Sequence, residues 1–336
     1  MNQPPLGVDD LQLLATVGGA APSLHNSQPW RFRPAPDGQG LLVYADPARA
    51  VPATDPDGRA LYVSVGAALF NLRVAAARLG REPVVRLLPD PGEPRLAAAV
   101  DLSRAATDPH PFGPDLYPAI TRRHSSRRPF TDRDIPETVV GELMAAAHGE
   151  GVVLSLLEED GVRRVLALTA EAERRTAADL VRQSETRSWL RPEEGATDGI
   201  PPGALGPMDH DARVPVRSFT GHPPRPAMPT ERFEALPQVA TLTTHGDRPA
   251  DWLRAGQAME RVWLVATAHG VRASLLHQAV EWPDTRRQLR DPAEGPGHIQ
   301  LVLRLGYGPP GAATPRRPVA EILETATGGR LPHGES

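Results

Sequence analysis

The chain has no cysteine. Disulfides, thiolate zinc sites, iron–sulfur clusters and cysteine nucleophiles are therefore excluded. It has no lysine either, and all 37 basic residues are arginine. Schiff-base chemistry on a lysine amine is impossible, which removes pyridoxal-type enzymes. Any anion site must be built from guanidinium groups, which fork well onto phosphate. A GC-rich genome is the simplest origin of this bias, and the chemical consequence is the same whatever the cause. No continuous apolar run approaches the roughly 20 residues that cross a bilayer. Met1 to Asp10 has neither the basic flank nor the apolar core of a signal peptide. There is no basic tail and no acidic run. A cytoplasmic protein is expected.

What is present is ordinary in bulk. The chain has 336 residues, 40% apolar and 23% charged, with a net charge of -4. That length suffices for one large domain or two smaller ones, and the composition is that of a globular protein. The net charge gives no general attraction to nucleic acid or anionic lipid, so neither is expected as a partner.

Periodicity and punctuation divide the chain into elements. Asp10 to Val17 reads as a short helix ended by Gly18-Gly19, and strands follow at Trp30–Arg33 and Leu41–Ala45. Arg59 to Leu79 reads as a long helix, apolar around most of its circumference and stopped by Gly80, so it should be buried. Strands are expected at Val84–Leu88 and Leu96–Leu102, then a Pro- and Asp-rich linker over residues 103–118. Helices at Tyr117–Arg123 and Pro136–His148, a strand at Val152–Leu157 and one long charged helix at Asp160–Leu190 come next. Residues 192–237 are crowded with Pro and Gly and show no period; a segment that long suggests a lid or active-site loop. A second long apolar helix, Asp251–His269, stops at Gly270. A strand at Val271–Leu276, a helix at Pro283–Leu289, a strand at Ile299–Leu305 and a last helix at Pro318–Thr325 complete the chain.

The order hints at an internal repeat. Each half has an early helix, a strand, a long buried helix ending in Gly, then further strands. Ala67–Gly80 parallels Gly256–Gly270.

Four segments carry candidate chemistry. Arg122-Arg123-His124-Ser125-Ser126-Arg127-Arg128 packs four arginines and two hydroxyls into seven residues. Such a set can converge on one phosphate, or it can be a solvated basic turn. Ala21 to Pro29 is a loop stiffened by two prolines and filled with hydrogen-bonding side chains, followed by an aromatic strand. The third segment runs from Gly270 to Glu281, and the fourth is Leu305-Gly306-Tyr307-Gly308 with Arg316-Arg317-Pro318 beyond it. His25, His124 and His277 lack the spacing of a shared metal-binding face, so no metal site is expected and no catalytic side chain is assigned. Glu260 and Glu281 are expected to be ion-paired or at a helix surface.

In this order, the four segments resemble the nitroreductase superfamily, and most closely its Acg-like branch of fused single-chain members. Residues 22–32 resemble the P-S-x-x-N-x-Q-P-W-x-F loop of that family, and residues 123–127 its R-x-S-x-R/K phosphate pattern. The Gly-Tyr-Gly and Arg316-Arg317-Pro318 resemble its C-terminal strand and tail. The resemblance implies an α+β fold in which two fused, diverged halves form an intramolecular pseudo-dimer. Residues 1–105 would be the first half. Residues 106–336 would be the second, carrying a lid insertion at about 187–237 with Trp189 and Met208 over the ring. The loop occurs once and the Arg-Ser segment once, so one complete site is implied.

Carried over by residue, Arg123, His124, Ser125 and Arg127 would surround the FMN phosphate, joined by Arg316 or Arg317. Pro22, Ser23, Leu24 and Asn26 would reach the flavin from the other half. Ala273, Ser274 and Leu275 would lie near its reactive edge, with Arg272 a candidate near N1 and O2. The implied function is NAD(P)H-dependent two-electron reduction of nitroaromatics, quinones or similar small acceptors, hydride passing first to flavin N5. The alternative is a flavin-sequestering protein with a covered site and little turnover. A cofactor-free scaffold is a third reading, which the intact arginines disfavour. Either a monomeric pseudo-dimer or a homodimer fits.

Overall fold

The computed structural model describes residues 3–219, 228–290 and 296–325. Two four-stranded antiparallel sheets organise it. The first contains β1 (Trp30–Pro34), β2 (Gly40–Ala45), β3 (Arg81–Leu87) and β4 (Leu96–Ala105) in the order β1-β2-β4-β3. Farther along the chain come β5 (Val153–Leu156), two short strands β6 (Met208–Asp209) and β7 (Thr230–Glu231), then β8 (Gln238–Thr244), β9 (Arg272–Leu275) and β10 (His298–Gly306). The second sheet takes the order β5-β8-β10-β9. Each sheet thus has two strands, then a long helix, then two more strands, with the last strand inserted between its neighbours. The same topology occurs twice in one chain, so the fold is α+β with two fused halves.

The two long buried helices are α2 (Arg59–Arg78) and α7 (Pro249–Ala268), each of 20 residues. They pack directly on one another at the centre of the main core. Their contact is set by glycine. A Cβ on Gly66 would lie 2.2 Å from the Leu253 carbonyl oxygen, and one on Gly256 would lie 2.0 Å from that of Val63. Gly66 and Gly256 are 190 positions apart, and so are Val63 and Leu253. The contact is therefore its own mirror, as at a two-fold axis. By length and composition α2 could cross a membrane, with a mean hydropathy of 1.5, contrary to the expectation that no segment would; 89% of that stretch is buried, which makes it a core helix.

Shorter helices flank this pair: α1 (Val8–Gly19) on α2, and α3 (Tyr117–Arg122) and α4 (Glu137–His148) on α7. The halves differ most in one connection. Residues 35–39 close a hairpin between β1 and β2, whereas residues 157–237 separate β5 from β8. This insertion begins with α5 (Glu159–Ala178) and α6 (Leu180–Ser188). The single helix expected over 160–190 is broken at Asp179, whose extended backbone (φ -92, ψ 105) ends α5 and whose carboxylate accepts from the Val181 and Arg182 amides to start α6. Strand β8 was not anticipated, although its buried Val239, Ala240, Thr241 and Leu242 put it at the centre of the second sheet.

After α8 (Pro283–Leu289) and β10, the chain crosses to the first half. The last helix, α9, is Val319–Ile322, shorter than expected because Leu323 bridges to Phe32 and the Glu324 amide donates to the Phe32 carbonyl at 2.8 Å. The Glu324 carboxylate pairs with Arg33 at 2.7 Å and Arg31 at 3.5 Å. The tail of the second half is therefore fastened to the edge of the first sheet.

Candidate functional site

A cavity opens where the halves meet, beside the α2–α7 crossing. The space between its walls comes to about 1240 Å³, a figure that includes the open solvent at its mouth. Segments distant in sequence line it: the loop after α1, the first turns of α2, the stretch after α3, parts of the insertion between Ile200 and Phe219, Met259 of α7, the end of β9 with its turn, Leu301 and Arg304 of β10, and residues 312–316.

The loop after α1 is held in an unusual shape. His25, Asn26 and Gln28 have φ of 51°, 54° and 51°. Left-handed non-glycine residues persist only where the surroundings over-determine them. Here the Gln28 amide donates to Ser23 Oγ at 2.9 Å, and the Arg317 amide donates to Gln28 Oε1 at 2.8 Å. Asn26 is used at both ends. Its Nδ2 donates to the carbonyls of Gly199 (2.8 Å) and Pro315 (3.0 Å), and its Oδ1 accepts from Arg316 Nη1 at 3.0 Å.

Two groups of cations face the cavity. In the first, Arg123 and Arg316 lie close enough that their mutual repulsion adds to burial in lowering Arg316 to about 9. Arg316 Nη2 and Arg123 Nη2 both donate to the Ala20 carbonyl, at 3.1 and 3.3 Å. Glu260 on α7 is the counter-ion, with Oε1 3.2 Å from Arg123 Nε. It is fully buried, and burial pushes its carboxyl up to about 7 against the pull of Arg123 and Arg316. Arg316 Nε is buried without a partner. Two guanidinium groups on one carboxylate leave an excess positive charge that an anion would neutralise.

The second group is Arg127 and Arg217. Burial, then repulsion from Arg217, lowers Arg127 to about 10. Arg127 donates to the Ala204 carbonyl at 2.6 Å and sits 5.0 Å over the Phe219 ring. Arg217 pairs with buried Glu281. Among the described residues no carboxylate comes within 4.0 Å of Arg127. His25 and His277, also in the wall, are held neutral, their basicity depressed chiefly by burial and then by adjacent guanidinium charge.

Of the residues singled out from sequence, Pro22, Ser23, Leu24, Asn26, Arg123, His124, Ser125, Arg127, Ser274, Leu275 and Arg316 line this cavity. Ala273 and Arg317 do not. Strand alternation sends the Ala273 side chain into the main core, while its carbonyl accepts from the Ser126 amide at 3.0 Å. Arg317 is turned onto the Gln28 carbonyl (3.3 Å) and Glu321 (3.2 Å), so of the two tail arginines only Arg316 faces the space. Arg272 is not part of the wall either.

The insertion does cover part of the cavity, but not through the expected residues. Val214 to Arg217, Phe219 and Ile200 form the wall. Trp189 stacks near Arg49 and Arg191, and Met208 pairs with Thr230 in the short sheet. The insertion is pinned to the first half. Gln28 Nε2 donates to the Thr197 carbonyl at 2.9 Å, Asn26 to Gly199, and Arg49 pairs with Asp198. Arg217 and Phe219 fall in an aperiodic stretch that offered no signal. His25 and His277 were visible but carried no spacing that marked them.

On the other side of the helix crossing stands a charged cluster. Glu150, in the connection after α4, pairs with Arg73 of α2 (2.5 Å) and Arg261 of α7 (3.0 Å), and Arg73 sits 4.8 Å over Phe112.

No family model matches the chain. Curated relatives do, over nearly its whole length. A Mycobacterium tuberculosis protein provisionally named an NAD(P)H nitroreductase is 32% identical over 324 residues, covering 94% of this chain and 91% of its own. A second from the same organism, provisionally named NAD(P)H nitroreductase acg, is 30% identical over 315 residues (90% and 92%). An uncharacterized Mycobacterium tuberculosis protein is 30% identical over 317 residues (90% and 90%). Among solved structures, a Bacteroides fragilis nitroreductase with bound FMN covers 60% of this chain and 93% of its own, at 14% identity and a TM-score of 0.37, too low for a residue-level correspondence. With identity of this level spanning both halves, the cleft loop and the arginine segment, the chain belongs to the Acg-like family of NAD(P)H nitroreductases.

Proposed function

We propose that this chain holds one FMN in the cleft between its halves and acts as an NAD(P)H-dependent oxidoreductase on small acceptors such as nitroaromatics or quinones. One observation carries the reading: the Pro22–Asn26 loop, the Arg123–Arg127 segment, the end of β9 and the Arg316 tail line a single cavity. The donor set fits the group. Arg123, Arg316 and the Ser125 hydroxyl suit a phosphate, and the unpartnered Arg316 Nε is a donor awaiting an acceptor. Ala60, Val63, Met259 and Leu275 supply apolar surface for a planar ring.

FMN bound there supplies the chemistry, accepting hydride and passing electrons onward. The protein's part is positioning and electrostatics. Arg123 and Arg316 fix the anionic end. Ser274 and Leu275 offer backbone groups beside the ring. Arg127 adds an unpaired positive charge to the same wall. Val214 and Phe219 shield the space from water.

The sequestration reading draws on the pinned insertion, whose bonds through Thr197, Asp198 and Gly199 restrict entry. One test separates the two. The purified protein is inspected for flavin absorbance, then NADH or NADPH is added without oxygen. Bleaching of the flavin band supports the reductase. A yellow protein that does not bleach supports sequestration. A colourless protein that takes up no FMN rejects both.

A further inference from the structure

We propose that His25, His277 and Arg217 form a carboxylate-binding subsite, so that the preferred acceptors are small monoanions rather than neutral molecules. The proposal rests on the flavin reading above and names the acceptor class for it. The three side chains come from three separate segments: the strained loop, the turn after β9 and the insertion. All line the cavity. His25 and His277 are 5% and 8% exposed, and the Arg217 side chain 9%.

Their polar atoms lack partners. Both ring nitrogens of His25, Nδ1 of His277 and Nη1 of Arg217 are buried without a hydrogen bond. Each such group left unsatisfied is destabilising. All four atoms belong to residues that line one cavity, where a bound ligand would supply partners.

The charges indicate the kind of ligand. Both histidines are neutral, so each ring offers one N–H donor and no charge. Arg217 and Glu281 cancel. Arg127 then leaves this part of the wall positive, and buried Arg59, with Nη2 3.5 Å from His277 Nε2, adds to it. A carboxylate suits that excess and presents two oxygens to the available donors. A nitro or quinone oxygen can accept the same hydrogen bonds but leaves the charge uncompensated.

The test uses 4-nitrobenzoate and its neutral counterpart nitrobenzene. Binding to the flavin-loaded protein is measured by calorimetry, and KM by NADPH oxidation. The subsite predicts at least a roughly tenfold preference for the carboxylate. The preference should shrink several-fold in Arg217→Gln combined with Glu281→Gln, which removes one guanidinium donor to the carboxylate, keeps the Arg127 charge and leaves no buried carboxylate alone. His277→Leu, a milder change, should weaken 4-nitrobenzoate several-fold with little effect on nitrobenzene. Equal affinity for the two probes in the unmodified protein, or an unchanged preference in either folded variant, overturns the proposal. Failure of the flavin reading looks different: no FMN is retained, while calorimetry still reports whether the carboxylate binds.

Discussion

Arg316 Nη1 donates to Asn26 Oδ1 at 3.0 Å across 290 positions of sequence. This bond joins the tail of the second half to the loop of the first, at the rim of the cavity. Its neighbour Arg317 points away, onto Gln28 and Glu321. The two arginines should therefore separate experimentally. Arg316→Ala should weaken FMN binding by about 10- to 100-fold, the worth of one charge-assisted hydrogen bond. Arg317→Ala should lower thermal stability and leave flavin affinity nearly unchanged. Fluorescence titration of FMN into the apoproteins measures the first effect, and melting curves the second. Equal losses of affinity in both variants would reject this division of roles.

The helix crossing makes a stability prediction. Alanine at Gly66 or Gly256 puts a Cβ against a backbone carbonyl that cannot move without shifting α2 or α7. Overpacking commonly costs about 1–3 kcal/mol, and a backbone obstacle places these variants at or above the upper end. Urea denaturation should show both strongly destabilised. The double variant should lose less than the sum, because the first substitution already separates the helices.

Glu260 makes stability depend on pH. Its folded carboxyl is raised to about 7 from an ordinary 4.5. Between those values the folded state binds more protons than the unfolded one, so stability falls as pH rises through the window. Glu260→Gln removes this dependence. Relative to the unmodified protein, the variant should gain on the order of 2–3 kcal/mol between about pH 4.5 and pH 8. Denaturation series at the two pH values provide the measurement, and parallel stability curves would refute the assignment.

His25 and His277 act in the opposite direction. Burial keeps both neutral in the folded protein, well below the ordinary 6.5. As pH falls below 6.5 the unfolded chain takes up protons that the folded one refuses, so stability is lost on acidification. Glu260 partly masks this loss in the native chain. The acid limb should therefore be steepest in the Glu260→Gln variant and flatter in one that also carries His277→Leu.

Most long elements were legible from periodicity and punctuation. Gly80 and Gly270 ended α2 and α7 because each adopts φ above 70°, as the expected stop requires. Strand β8 was not legible, because Gln238–Thr244 follows an aperiodic stretch and its threonines blur the apolar alternation. Asp179 looked like one more charge on a helix, and only its cap geometry reveals a break. In the site, the Pro22–Asn26 loop and Arg123–Arg127 were visible as dense local patterns. Arg217 was not, because its place in the wall depends on how residues 157–237 fold back across the first half. The choice of Arg316 over Arg317 likewise turns on side-chain direction, which adjacent positions in a sequence do not encode.

The shared chain has a consequence for how the two sides of the helix pair can differ. In a pair of identical subunits every substitution is made twice, so a carboxylate buried at one flavin edge is also buried at the other. Here Glu260 has Phe70 as its counterpart 190 positions earlier, and Trp263 has Arg73. One side keeps the acid Glu260 beside Arg123 and Arg316. The other has become a closed knot of Glu150, Arg73 and Arg261. Joining the halves lets the two sides of one interface carry different charges and contacts.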